Sequence, residues 1–311
     1  MLAAVLTTLF FASSAAMGTR SASLIGPANA NFVRLVVAAL VLAAYAHTLG
    51  QGLGGPGLGM FMLGGLIGFG MGDTALYEAY DRIGSRLSIL LCQCVAAPVA
   101  ACVEWIWMGT RIQPVQFALG AAVLLGVALA LAPGKGERPV KGPLWLGVGL
   151  GCIAALGQAA GAVLSRKGFA MCRAEGFALD GLTATYQRIW PGLVVAATVF
   201  VLIRVFRRPF SKSRLRDLPR ERVPVAVGWV LGNALSGAVL GVACYQWALA
   251  TTPSGVVLAI VAATPIAVMP LSWFMEGDRP TRRGVLGAAI AVSGVAGLAL
   301  LPAWESHVRA F

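Results

Sequence analysis

The chain has 311 residues and a net charge of +12, with 58% hydrophobic residues and 12% charged, half the roughly 25% charge of a soluble domain. Together with a mean hydropathy of +0.81, this marks an integral membrane protein and excludes a separate soluble domain. Ten spans of about 20 residues each would use about 200 residues and leave only short loops.

Apolar runs fall at about 1–18, 30–48, 58–80, 86–108, 114–132, 143–165, 185–203, 224–249, 254–275 and 283–301. Their length predicts helices, because a barrel strand would alternate over about ten residues and these runs do not. The fold class expected is therefore an all-α integral membrane protein of ten transmembrane helices. The first run ends in small residues, Ser13 to Gly18, like a signal peptide. No Lys or Arg precedes Arg20, however, so the basic leader of a signal peptide is missing and the run reads as a helix.

An internal repeat divides the chain. At an offset of 167 or 168 residues, Gly64 and Gly68 fall on Gly232 and Ser236, Tyr77 and Glu78 on Tyr245 and Gln246, Pro98 on Pro265, and Leu119-Gly120-Ala121-Ala122 on Leu286-Gly287-Ala288-Ala289. The segment around Arg34 likewise matches the one around Arg188. Two five-helix halves, 1–132 and 143–303, are expected on either side of a linker from Pro133 to Pro139. Five is odd, so the second half enters the membrane from the opposite side, and the repeat is inverted.

Glycines at a spacing of four recur in both halves: Gly64, Gly68 and Gly72; Gly228 and Gly232; Gly237 and Gly241; Gly147 and Gly151; Gly157 and Gly161. Helices in lipid approach closely where small residues line a face, so tight packing is the first expectation for these. Pro98 and Pro265, deep in runs four and nine, each remove a backbone donor and are expected to kink their helices as gates beside a midplane cavity.

Two five-helix repeats, glycine-rich third and eighth runs, the turn Glu276-Gly277-Asp278-Arg279, and arginines at Arg34 and Arg188 opening the second and seventh runs resemble the drug/metabolite transporter superfamily, in particular its EamA-domain branch. The resemblance covers nearly the whole chain. It implies a ten-helix secondary carrier with a central cavity between the repeats, often an exporter of amino acids or other small metabolites. The first half departs from the usual Gly-Glu turn with Gly109-Thr110-Arg111.

Charge gives a test of topology, since Lys and Arg collect in cytoplasmic loops. With Arg34 and Arg188 set aside, seventeen lie on the side of the odd-to-even loops and five on the other. That count places both termini outside, whereas the family resemblance implies both inside. The 204–222 loop alone carries half of the net charge. Its basic residues suit topology and anionic headgroups. With only Phe206 and Phe210 beside them, they do not suit nucleic acid, which needs interleaved aromatics.

A charge inside the bilayer costs about 3 kcal/mol on insertion scales and persists mainly where it meets water, protein or substrate. Asp73 is the deepest acid, about 10 Å from the end of its run at 1.5 Å per residue, and its repeat counterpart is Gly241. It is expected to bind substrate or exchange a proton, with Tyr77 one turn away on the same face. Glu78 and Glu104 lie nearer helix ends and could pair with Arg82, Arg86 or Arg111. Gln93, Gln158 and Asn233 sit well inside their runs and either line a cavity or bond between helices. Tyr245 and Gln246, matched to Tyr77 and Glu78, complete the expected binding or coupling set.

Six cysteines, mostly within apolar runs and without metal-binding spacing, and two histidines near run ends give no metal or cofactor site. No phosphate-binding GxxxxGK[ST] loop is present. The reading that follows is a multi-pass transporter of the bacterial cytoplasmic membrane. It would act on a small-molecule substrate, with protons as a possible coupling partner, in contact with the lipid bilayer and not with nucleic acid. The alternatives are a membrane enzyme acting on a lipid-linked substrate, which would need acids or histidines clustered near one interface, and a non-transporting assembly subunit, which would need no polar midplane residues.

Overall fold

The computed structural model describes residues 1–131, 143–206, 219–268 and 282–308, and all regular structure among them is helical. Helix α1 spans Leu2–Ile25 and α2 Pro27–Thr48. Helix α3, Leu58–Gly65, widens into a π-helical stretch, Leu66–Gly72, and continues as α4, Asp73–Met108. Then come α5, Pro114–Leu131, α6, Leu144–Ala174, and α7, Gly181–Phe206. Helix α8, Val223–Asn233, also widens into a π-helical stretch, Ala234–Gly241, and continues as α9, Val242–Thr251. Helix α10, Ser254–Val261, and α11, Arg282–Val308, complete the set.

Among the described residues seven helical spans are long and apolar enough to cross a membrane, and Pro114–Ala130 and Ser254–Val268 are shorter apolar helices. Several helices outlast their apolar runs. Helix α1 continues past residue 18 to Ile25, and α6 past residue 165 to Ala174, because intrahelical hydrogen bonds do not stop where hydropathy does and Arg173 suits a helix C-terminus. The start of α7 is set by Asp180, whose carboxylate accepts from the backbone N–H groups of Leu182 and Thr183 at 2.8 and 2.9 Å, the role of an N-cap. The Pro133 to Pro139 linker, the Glu276 to Arg279 turn and most of the 204–222 loop lie outside the described residues.

Helix α4 hides a reversal. A straight helix would hold Ala75 and Cys92 about 25 Å apart, yet both pack in one cluster with Ala154. The first limb runs antiparallel to α6, with Gly64 against Gly161 and Gly72 against Gly157. The second runs parallel to it, with Gln93 on Gln158 and Glu104 on Arg166. The chain therefore turns back between Tyr80 and Ser88, where the two apolar spans divide.

The side-chain distribution is that of a protein in lipid. The buried set is dominated by alanine, while large apolar side chains such as Ile106, Trp145 and Phe117 are exposed at 79%, 73% and 70%. Lipid tails solvate such side chains as well as a core would, and small residues let backbones meet. The closest approach is α3 on α7: a Cβ on Gly65 would lie 1.8 Å from the Arg188 carbonyl oxygen. Gly237 and Gly241 press α1 at Ser14 and Phe11. Gly228, expected to pack, is exposed with nothing near it. Helices α5 and α11 form an antiparallel pair through Gly126 with Gly287, and Val123 with Gly294.

Candidate functional site: a charged central cavity

Helices from both parts of the chain surround a cavity of about 140 Å³, bordered by Ser14, Arg34, Asp73, Tyr77, Tyr80, Cys92, Gln93, Gln158, Arg188, Tyr245 and Thr264 among others. That space suits several waters or a small solute. Phe69 and Leu76 supply apolar wall, and glycines at 18, 68, 72 and 237 let the helices close around it.

On one wall Arg34 of α2 makes an ion pair with Asp73. The carboxylate side chain keeps 25% exposure against 8% for the arginine. The Arg34 guanidinium also donates to Asn31 Oδ1 at 2.9 Å and lies 5.2 Å from the centre of the Tyr77 ring. The Tyr77 hydroxyl accepts from Asn233 Nδ2 at 2.9 Å, and Asn233 Oδ1 accepts from Ser14 at 2.7 Å. Asn233, fully buried, thus ties α8 to α1 and to the first limb of α4.

A second wall carries a chain of amides: the Cys92 thiol donates to Gln158 Oε1 at 3.1 Å, and Gln158 Nε2 donates to Gln93 Oε1 at 3.0 Å. On a third, Arg188 of α7 donates to the Gly161 carbonyl at 2.6 Å and to the Ser165 hydroxyl. Its guanidinium lies 5.8 Å from the Phe69 ring centre. No carboxylate pairs with Arg188 among the described residues. Arg34 Nε, Arg188 Nε and the Tyr245 hydroxyl are buried without a hydrogen-bond partner among those residues.

Away from this cavity, Glu104 and Arg166 form a buried pair at 3.2 Å, not the expected pairing of Glu104 with Arg82, Arg86 or Arg111. After the reversal in α4 the returning limb runs alongside α6, which brings Arg166 to Glu104, while Arg82 pairs with Glu78. Glu104 also accepts the Ser254 backbone N–H at 2.6 Å and its hydroxyl, while Arg166 donates to the Leu249 carbonyl at 3.0 Å. Carboxylate and guanidinium thus meet the positive start of α10 and the negative end of α9. Gln187 donates to the Gly52 and Gly54 carbonyls, at 3.1 and 2.8 Å, at the same end. Phe61, Phe169, Cys172 and Ala184 pack together there.

The structure therefore brings Asp73, Tyr77, Gln93, Gln158 and Tyr245 together at the cavity. Asn233 stands behind Tyr77. Glu78 pairs with Arg82 and borders a smaller pocket beside Asn31 and Tyr77. Gln246 is fully buried beside neither pocket, with both amide atoms unpaired among the described residues. Pro98 lies on the exposed side of α4, within the helix. Pro265 follows the turn at Ala262 and Ala263 that ends α10, next to the cavity residue Thr264. Among the described residues no group of His, Cys, Asp and Glu could hold a metal.

Sequence reasoning left Arg34 and Arg188 out of the site by treating them as helix-end charges. Both are buried, at 7% and 5% exposure. The signal was present: each is the only arginine of an otherwise apolar run, and the two match across the repeat.

A bundle of apolar helices around a cavity that holds charged and amide groups is the architecture of a multi-pass membrane transporter. The chain belongs to the EamA-like transporter family, part of the drug/metabolite transporter superfamily, whose sequence model matches residues 1–132 and 145–300. Members of that family are membrane transporters and not enzymes. A solved structure described as "Crystal structure of protein" superposes with a TM-score of 0.72 at 16% identity, covering 96% of this chain and 96% of its own. That likeness shows the fold alone. No curated protein matches the chain.

Proposed function

We propose that this protein is a secondary transporter, built as ten transmembrane helices in two inverted five-helix repeats (1–132 and 143–303), that exports a small organic metabolite such as an amino acid across the bacterial cytoplasmic membrane. One observation carries the reading: a cavity between helices of both halves, lined by charged and amide groups from each. A solute site held between two inverted repeats is the arrangement that alternating access requires.

The Lys and Arg asymmetry favours the Tyr80 end in the cytoplasm and both termini outside, an orientation in which export begins with loading from the Tyr80 side. In this reading Asp73, Tyr77, Gln93, Gln158 and Tyr245 bind or couple. Asn233, Glu78 and Gln246 support them, and the helix irregularities at Pro98 and Pro265 move during gating. Protons are the candidate coupling ion, with Asp73 the exchangeable site.

The test is flux of a panel of radiolabelled metabolites in proteoliposomes. Saturable, protein-dependent movement of one solute is expected. A panel spanning amino acids, organic acids, sugars and amines that gives no flux above empty liposomes overturns the reading.

A further inference from the structure

The two halves carry matched groups with unmatched partners. Arg34 and Arg188 correspond across the repeat, as do Tyr77 and Tyr245. Arg34 has the carboxylate of Asp73 and the Tyr77 hydroxyl has Asn233. At the position equivalent to Asp73 the second half has Gly241, so among the described residues Arg188 meets two backbone carbonyls, a hydroxyl and a ring but no carboxylate, and the Tyr245 hydroxyl has no hydrogen-bond partner among them. Both residues border the cavity, at 5% and 4% exposure. Among the described residues the charged groups on its wall are Arg34, Asp73 and Arg188, which leaves one positive charge without a counter-ion among them. A buried cation without its anion is unfavourable until an anion arrives.

We propose that Arg188 and Tyr245 form the recognition site for the carboxylate of an organic acid or zwitterion, which takes the place beside Arg188 that Asp73 takes beside Arg34. The inference rests on the transport reading above and names the chemistry of its substrate. A guanidinium fork with an adjacent hydroxyl donor matches two carboxylate oxygens. A carboxylate beside Arg188 compensates that one guanidinium, whereas a phosphate dianion would overshoot it and an amine with no carboxylate would add to the repulsion.

The test uses the full chain, purified in detergent, with probes that differ only at the acid: the twenty amino acids, their amides and the corresponding decarboxylated amines, together with simple monocarboxylates and glycerol phosphate. Thermal unfolding and equilibrium binding are read. At least one carboxylate is expected to raise the unfolding temperature, and its amide, which lacks the negative charge, to need more than tenfold higher concentration. Tyr245→Phe removes a hydroxyl that has no hydrogen-bond partner among the described residues, so it should fold normally and bind several-fold more weakly. Arg188→Lys keeps the charge without the fork and should lose about tenfold, and Arg188→Gln should abolish binding.

Preference for amines or phosphate, absence of any carboxylate response, or unchanged carboxylate affinity in folded Y245F and R188K overturns the proposal. Carboxylate binding in detergent without flux in liposomes counts against transport and leaves this site standing. Flux of a solute with no negative group does the reverse.

Discussion

Glu104 and Arg166, 62 residues apart in sequence, form a buried ion pair that clasps the junction between α9 and α10, one partner on the N–H of Ser254 and the other on the carbonyl of Leu249. Removing one member leaves the other charge buried alone. Glu104→Gln should therefore destabilise the protein by about 3 kcal/mol, and the double change Glu104→Leu with Arg166→Leu should recover part of that loss. Thermal unfolding in detergent reads both. A double variant no more stable than the single one would show that the pair is needed for more than mutual neutralisation.

The ion pair of Arg34 with Asp73 gives a second expectation. Asp73→Asn keeps the shape of the side chain and strips Arg34 of its counter-ion, so solute flux should fall at least tenfold while the protein stays folded. Arg34→Gln should cause a similar loss. In a double-mutant cycle the two changes should couple by about 1–3 kcal/mol in solute binding. Wild-type flux at every pH in Asp73→Asn would remove that carboxylate from the mechanism.

Asn233 is fully buried and bonded to both Tyr77 and Ser14. Asn233→Ala leaves two hydroxyls without their partner and should cost about 1–3 kcal/mol of stability. Because Asn233 does not border the cavity, the expected binding defect comes through a displaced Tyr77. It should be smaller than the defect of Tyr77→Phe combined with Tyr245→Phe, as titration of the solute would show.

Two glycines separate close packing from mere composition. Gly65→Ala would force a Cβ to 1.8 Å from the Arg188 carbonyl oxygen and should prevent normal folding, seen as loss of a monodisperse peak on gel filtration. Gly228 has open space around it, and Gly228→Ala should be neutral or stabilising by up to about 1 kcal/mol from helix propensity.

Orientation is open to direct labelling. In a background lacking the six native cysteines, Ser213→Cys should be protected from an impermeant maleimide in intact cells and Phe311→Cys should react. The opposite pattern would reverse the topology drawn from the charge count.

The helical class and the positions of most apolar spans were legible because membrane spans must be long and apolar, and only two or three residues separated expectation from structure at many ends. Asp73, Tyr77, Gln93, Gln158 and Tyr245 were legible as polar interruptions of such runs. The partners were not. The break between the runs at 80 and 86 announced the reversal before Ser88, but which arginine meets Glu104 depends on how α6 packs beside the returning limb, a tertiary event that run positions do not encode. Arg34 and Arg188 were hidden by nearness to a helix start, where sequence position cannot tell a snorkelling side chain from one turned inward. Gly65 was passed over for neighbours at regular spacing, since the face that a glycine presents shifts once the helix widens.

That widening has a consequence for how the protein tolerates change. Leu66–Gly72 and Ala234–Gly241 each hold their turns with wider hydrogen-bonded rings than an α-helix uses, so each stretch stores extra chain length at the doorway to the cavity. Everything beyond it, Tyr77 on one side and Tyr245 on the other, keeps its bearing only while that slack remains. Shortening either stretch by one residue would swivel the following helix by about 100°, carrying its tyrosine out of line. These stretches should therefore accept replacement of one small apolar residue by another far more readily than the loss of any residue at all.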